Sequence, residues 1–172
     1  MTDPLDYPSF PKRAGASVTT PALPSAVWPW VAGIGGENRY YYMNALWTVR
    51  ELLDAAVGGR GLRHHRPGHT DLRPGDRIDS WRVLIAHPRR KLALEFGMRA
   101  PGTGVLEFDL EPLPADRGTR LAVTAYWSPR GLPGLFYWYA MEPGHAFIFH
   151  GLAKEICRRA EAGEVPSWAV SG

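Results

Sequence analysis

The apolar positions of this chain fall into two kinds of pattern. Tyr40 to Val57 carries apolar residues at Tyr42, Leu46, Val49, Leu53 and Val57, at spacings of three and four, which predicts an amphipathic helix. Arg50 and Asp54 sit four apart on its outer side and can pair, and Gly58-Gly59 supplies the stop. From residue 78 the period drops to two. Ile78–Ala86 predicts one strand. Leu92, Leu94, Phe96 and Met98 alternate with Ala93, Glu95 and Gly97 in a second strand. Leu106, Phe108 and Leu110 alternate with Glu107, Asp109 and Glu111. Leu121, Val123, Ala125 and Trp127 make the last strand. The turns between them are His87-Pro88-Arg89-Arg90, Pro101-Gly102 and Pro114 to Gly118.

Short connections favour antiparallel neighbours, so these four strands predict a meander with one apolar face. That face needs a cover. Ile148, Phe149, Leu152, Ile156 and Ala160 line one side of a C-terminal helix, opposite Lys154, Glu155, Arg158 and Arg159. Pro143 suits the first turn of that helix, and Leu135 to Met141 reads as an earlier helical stretch with a kink between them. Before the meander, Ser17–Thr20 predicts a short edge strand. Ser25 is placed to cap a short helix over Ala26–Gly33, which the glycines at 33, 35 and 36 end. Residues 1–16 read as a loose Pro-rich arm, 17–162 as one domain, and 163–172 as a frayed tail. By alternation, Glu95 and Glu107 point away from the apolar face toward solvent. Asp79 shares a face with Trp81 and Val83, where a carboxylate would be buried with a raised pKa.

The element order is therefore β–α–α–β–β–β–β–α, an α+β class. It resembles the helix-grip fold of the START and polyketide-cyclase superfamily (SRPBCC), a curved antiparallel sheet wrapped around a long terminal helix. Pro24-Ser25-Ala26-Val27-Trp28-Pro29-Trp30-Val31 is similar to the opening of that superfamily, where a first strand passes into the first helix. The branch it resembles most is domain-of-unknown-function family 2867. The shared features are Trp28-Pro29-Trp30 with Ile34-Gly35-Gly36, Gly75-Asp76 with Asp79-x-Trp81-Arg82-Val83, Pro101-Gly102, and Pro129-Arg130-Gly131-Leu132 leading into Tyr137-Trp138-Tyr139. The resemblance covers about residues 17–162. In some relatives such a domain follows a nucleotide-binding, epimerase-like domain. The departures are the Pro-rich arm and Val105, where an aromatic residue is expected. The resemblance implies a pocket and brings no catalytic set with it.

Composition narrows the function classes. The net charge is +3, and the basic residues are interspersed with Asp and Glu. No recognition helix, zinc spacing or aromatic RNA-binding signature accompanies them, so no nucleic-acid partner is expected. The single cysteine, Cys157, rules out an internal disulfide and falls in a helical pattern, where a packed thiol is expected. His64, His65, His69 and Asp71 are metal-ligand types in an irregular loop among arginines, which oppose a cation. No metal and no cofactor are expected. Gly33 to Gly36 lacks the preceding strand and parallel unit that a dinucleotide loop requires. Leu132 to Leu152 is apolar but interrupted by Glu142, Pro143, His145 and His150, so no membrane span is expected. Without an apolar leader at the N-terminus, a cytoplasmic location is expected.

Seven Trp, seven Tyr and six Phe are many for 172 residues, and large rings line ligand pockets. The expected function is therefore binding of a small hydrophobic molecule, such as a lipid, polyketide or aromatic metabolite. The expected walls are Trp81, Phe96, Met98, Phe108, Trp127, Tyr137, Met141, His145 and Phe149. Two alternatives stand beside it. One is a cyclase, dehydratase or isomerase that moves protons through Asp79 or His145. The other is an accessory module of a separately encoded reductase, with Tyr40, Tyr41 or Trp168 at the interface. Oligomeric state is left open by the sequence.

Overall fold

The computed structural model describes residues 6–35, 41, 42, 67, 71–97 and 101–166. The expected helix Tyr40–Val57 lies almost wholly outside them, as do Met98, the loop histidines 64, 65 and 69, and Trp168. Six strands form one antiparallel sheet: β1 (Lys12–Thr20), β2 (Arg77–Ile78), β3 (Trp81–His87), β4 (Lys91–Phe96), β5 (Gly102–Pro112) and β6 (Thr119–Pro129). Their spatial order is β1-β6-β5-β4-β3-β2, so the meander is extended at one edge by β1 and at the other by β2. Helix α1 (Pro24–Ala32) follows β1. The long helix α2 (Gly131–Glu161) packs on β1 and β6 and touches α1. A curved antiparallel sheet holding a long terminal helix is the helix-grip architecture.

The first strand is longer than its composition suggests. It begins at Lys12, five residues before the expected Ser17, inside the Pro-rich arm, and pairs with β6 from Lys12↔Trp127 to Thr20↔Thr119. Its exposure alternates strictly. Ala16 and Val18 face the core, while Arg13, Gly15, Ser17 and Thr19 face water. Small and polar residues in this edge strand gave it little apolar signal. Upstream, Tyr7–Ser9 forms one 3-10 turn, and Tyr7 is buried.

The expected strand Ile78–Ala86 is interrupted. Ile78 and Trp81 close a two-residue hairpin at Asp79-Ser80, with Asp79 in the left-handed region at φ 53°. Aspartate tolerates that conformation better than most residues. Further along, Val83↔Leu94 is followed by Ile85↔Ala93, a β-bulge that inserts Leu84. The bulge turns Leu84 and Ile85 to the outer face of the sheet, while Val83 and Ala86 stay with the core.

Helix α1 begins with Pro24 in its first turn rather than with a Ser25 cap. Leu23 holds the cap position, and no side chain caps it. A proline there surrenders no hydrogen bond, because the first N–H groups of a helix have no intrahelical partner. Helix α2 also departs from expectation. It runs through Pro143 as one 31-residue element, where a helix start was expected. Pro143 cannot donate to the Tyr139 carbonyl, a defect costing about 3 kcal/mol in an isolated helix. Packing of the inner side against the sheet holds the two halves in line. Buried Gly134, Trp138, Ile148, Phe149, Leu152, Ala153, Ile156, Cys157 and Ala160 recur along it at helical spacing.

One end of the grip is sealed. Thr20 Oγ1 donates to Glu161 Oε1 (2.7 Å), and Thr119 Oγ1 donates to the Ala22 carbonyl (2.7 Å). Nearby, Glu155 binds both Arg158 and Arg159. The Arg158 hydrogen bond, joined by that of Arg159, outweighs burial and holds the Glu155 carboxyl down at about 2. The Arg159 guanidinium in turn lies over the rings of Trp30 (5.2 Å) and Tyr41 (5.0 Å). Tyr41, a candidate interface residue by sequence, is half-buried here and donates its hydroxyl to the Trp30 carbonyl (3.1 Å).

The outer face of the sheet carries the second departure from the alternation argument. Glu95 behaves as expected in part: it is half-buried and pairs across the strands with Arg82 (2.7 Å). Glu107 is buried instead of solvated. It accepts from the Tyr7 hydroxyl, weakly from Tyr126 Oη (3.5 Å), and pairs with Lys91 Nζ (3.1 Å). Tyr7 packs there with Ala93 and Val105, flanked by Phe10, Leu84, Ile85 and Tyr126. Val105 thus belongs to this outer cluster, which explains why no aromatic residue stands there for the inner face. Alternation placed Glu107 on the outer face correctly; it could not show that the N-terminal segment folds over that face.

Candidate functional site

The inner face of the sheet is aromatic at the end opposite the sealed one. Cross-strand pairing joins Ile78, Trp81 and Phe96 in one transverse row and Gly104, Trp127 and Lys12 in a second, one residue past the last β4–β5 pair, Glu95↔Val105. Trp81 meets Phe96 edge-to-face (5.2 Å between centroids, 88°), and Phe96 meets Trp127 (6.0 Å, 76°). One strand, β5, separates Phe96 of β4 from Trp127 of β6, and the rings meet because Gly104 of β5 puts no side chain between them. A Cβ at Gly104 would stand 2.9 Å from Trp127 Cε3, and one at Gly102 would stand 2.6 Å from Cζ2. The two glycines form a trough for the indole.

Helix α2 closes onto that trough. Trp127 Nε1 donates to the Gly134 carbonyl (3.2 Å), and the indole lies against Tyr137 (5.2 Å, 35°). Gly134 itself is pressed on the sheet rim, where a Cβ would come within 2.2 Å of the Pro101 carbonyl. One turn and more along the inner side, Trp138, His145 and Phe149 form a second aromatic group. His145 lies 5.1 Å from Trp138 and stacks on Phe149 at 5.2 Å and 14°. Its Nδ1 is out of contact with solvent.

The tightness of packing changes along α2. From Ile148 to Ala160 the inner residues are buried, several of them completely. At the aromatic end, Tyr137, Met141, Gly144 and His145 are only half-buried, and so are Phe96 and Ala125 on the sheet. The expected wall residues therefore divide. Trp81, Phe108, Trp127 and Phe149 are buried; Phe96, Tyr137, Met141 and His145 reach the surface in part. Trp138 was missed by sequence reading. Its spacing of seven from His145 and four from Gly134 was the available signal. Gly102 reads as part of the Pro101-Gly102 turn and Gly104 drew no reading, although glycine inside a strand signals a close approach.

Asp79 is placed elsewhere than expected. It lies in the β2–β3 turn, half-buried, not on the strand face shared by Trp81 and Val83. Its carboxylate faces the glycine turn after α1: a Cβ at Gly35 would lie 3.0 Å from Asp79 Oδ2. On the outer side of the same hairpin, a groove of about 250 Å³ is lined by Arg77, Ser80, Trp81, Arg82, Glu95 and Gly97. Among the described residues, no group of His, Cys, Asp and Glu is disposed to hold a metal ion. The inner face offers rings, a thioether and a few polar atoms at its margin, a surface for apolar contact with limited hydrogen bonding.

A curved six-stranded antiparallel sheet gripping a 31-residue terminal helix defines a helix-grip fold. Within that class the chain belongs to the family described as "Protein of unknown function (DUF2867)", whose model matches residues 13–152. Its backbone is similar to the crystal structure of DynU16, a protein of the dynemicin biosynthetic locus. The identity is 16% and the TM-score 0.54, over 89% of this chain and 48% of DynU16, so the chain spans about half of DynU16. A Thermobifida fusca protein solved in solution is similar over 89% of this chain and 95% of its own (14% identity, TM-score 0.51). A Nitrosospira multiformis protein is similar over 92% and 99% (10% identity, TM-score 0.50). At these identities the likeness speaks for the fold alone. No curated protein matches the sequence.

Proposed function

We propose that this protein binds a small hydrophobic molecule between the aromatic end of the sheet and the N-terminal half of α2. The observation that carries the reading is the gradient of packing along the grip. Half-buried Phe96, Tyr137, Met141 and His145 gather at one end, while the other end is sealed. Rings left partly in contact with water on an inner face gain about 25 cal/mol per Å² when a ligand covers them. Trp81, Trp127, Phe108 and Phe149 form the firm floor beneath, and Met98 follows β4 in sequence. A lipid, a polyketide or an aromatic metabolite is the kind of ligand such a surface would take.

The test is native mass spectrometry of the protein as purified, with titration of an apolar fluorescent dye followed through tryptophan emission. A bound small molecule, or saturable dye binding weakened by Tyr137→Ala, is the expected result. An empty chain that binds no dye overturns the proposal.

A second reading rests on His145. An imidazole flanked by Trp138 and Phe149, half-buried at the open end, is placed for proton transfer to a bound apolar substrate. It predicts that His145→Gln abolishes turnover of an identified ligand without loosening its binding. Full turnover in that variant removes the reading. Asp79, in its turn against Gly35, has no corresponding support.

A further inference from the structure

The outward side of α2 is as apolar as the inward side over the first two-thirds of the helix. Leu132, Phe136, Tyr139 and Phe147 are 80, 78, 54 and 60% exposed. With exposed Pro143 they recur at spacings of four, three, four and four, one stripe about 22 Å long. Tyr42 meets the ring of Phe147 at 6.0 Å and marks one end of it. A helix that is apolar all round implies a cover on both sides. Among the described residues the sheet supplies one.

Charge indicates what supplies the other. From Gly131 to Gly151 the helix has a single Asp, Glu, Lys or Arg, which is Glu142, and it lies to one side of the stripe. The borders of the stripe are cationic. Arg130 precedes Leu132, and Lys12 Nζ sits over the Tyr139 ring (4.7 Å) and donates to its hydroxyl (2.7 Å). Lys154 continues the same outward line beyond Phe147 and is exposed. A two-fold contact between copies of this chain would set these cations against one another. An anionic lipid surface would accept both features, rings into the acyl boundary and cations among the headgroups. Among the described residues no helix is long and apolar enough to cross a membrane, so α2 would lie flat.

We propose that the outward stripe of α2 is a docking surface for an anionic membrane. This surface is separate from the inner face and does not depend on a ligand there. The experiment is co-sedimentation of the full chain with vesicles of phosphatidylcholine alone and of phosphatidylcholine containing phosphatidylglycerol. Binding to the phosphatidylglycerol vesicles is expected, weakened by salt. The variant Leu132→Ser/Phe136→Ser, whose sites are exposed and leave the core intact, is expected to bind about tenfold or more weakly, because it removes two inserted apolar side chains. Lys154→Glu is expected to reduce the preference for phosphatidylglycerol. Circular dichroism of each variant checks that the fold is retained. Three results overturn the proposal: no binding to phosphatidylglycerol vesicles, equal binding by the double serine variant, or a dimer of the wild type that the double variant dissolves while neither binds vesicles. A protein partner captured through the stripe by a chain that ignores vesicles would likewise overturn it.

Discussion

Replacing Tyr7 by Phe deletes one hydroxyl and leaves the ring packed on Ala93, Val105 and Tyr126. The loss falls on Glu107, a buried carboxylate. It keeps Lys91 Nζ at 3.1 Å and the weak Tyr126 contact at 3.5 Å, so its charge is still partnered. A hydrogen bond to a charged group contributes about 1.5–3 kcal/mol net, and the surviving partners place the expected cost at the lower end, about 1.5–2 kcal/mol. For a chain of this size that lowers the melting midpoint by about 3–8 °C. Urea unfolding followed by circular dichroism should show a lower midpoint with an unchanged slope. The pH dependence gives an independent reading. Burial raises the Tyr7 hydroxyl above its ordinary value, and the hydrogen bond and charge of Glu107 raise it further. The folded state therefore holds that proton more tightly than the unfolded chain. Its contribution is full below the ordinary tyrosine value near 10 and is lost as pH rises above it. The gap in stability between wild type and Tyr7→Phe should accordingly narrow above about pH 10. If the midpoint is unmoved, or the gap is the same at neutral and alkaline pH, the N-terminal segment is not anchored on Glu107 and the account of the outer face is wrong.

Two further outcomes follow from packing. Gly104→Ala puts a methyl 2.9 Å from Trp127 and should cost about 1–3 kcal/mol, with a changed near-ultraviolet signal from the displaced indole; an unperturbed signal would show that the trough is not tight. Burial, with a smaller contribution from the Glu161 charge, pushes the Cys157 thiol up to about 11. Its labelling by a thiol reagent near neutral pH should therefore track global unfolding, and rapid labelling of the native protein would contradict its place in the core.

Much of this architecture was legible along the chain because its signals are local. The two-residue period through Leu92–Phe96, Leu106–Leu110 and Leu121–Trp127 placed three strands and their inward faces. The run from Ile148 to Ala160 placed the gripping side of the terminal helix. Short turns gave the antiparallel order. Inner-face membership of Phe96 and Trp127 followed from the same alternation, and that of Phe149 from the helical spacing. What the pattern could not supply are events decided by contacts between distant segments. β1 begins at Lys12 because β6 offers it nine partners, not because Lys12 to Ala16 is a strong strand former. Helix α2 continues through Pro143 because the sheet holds both halves, a gain invisible to propensity. Asp79 left its strand because the pairing of Ile78 with Trp81 closes a two-residue hairpin that contains it. Glu107 is buried because a segment a hundred residues away folds over it. Which face a residue takes is set by its neighbours in sequence. What covers that face, and how tightly, is set by tertiary packing, which is also why the half-buried end of the grip emerged only in three dimensions.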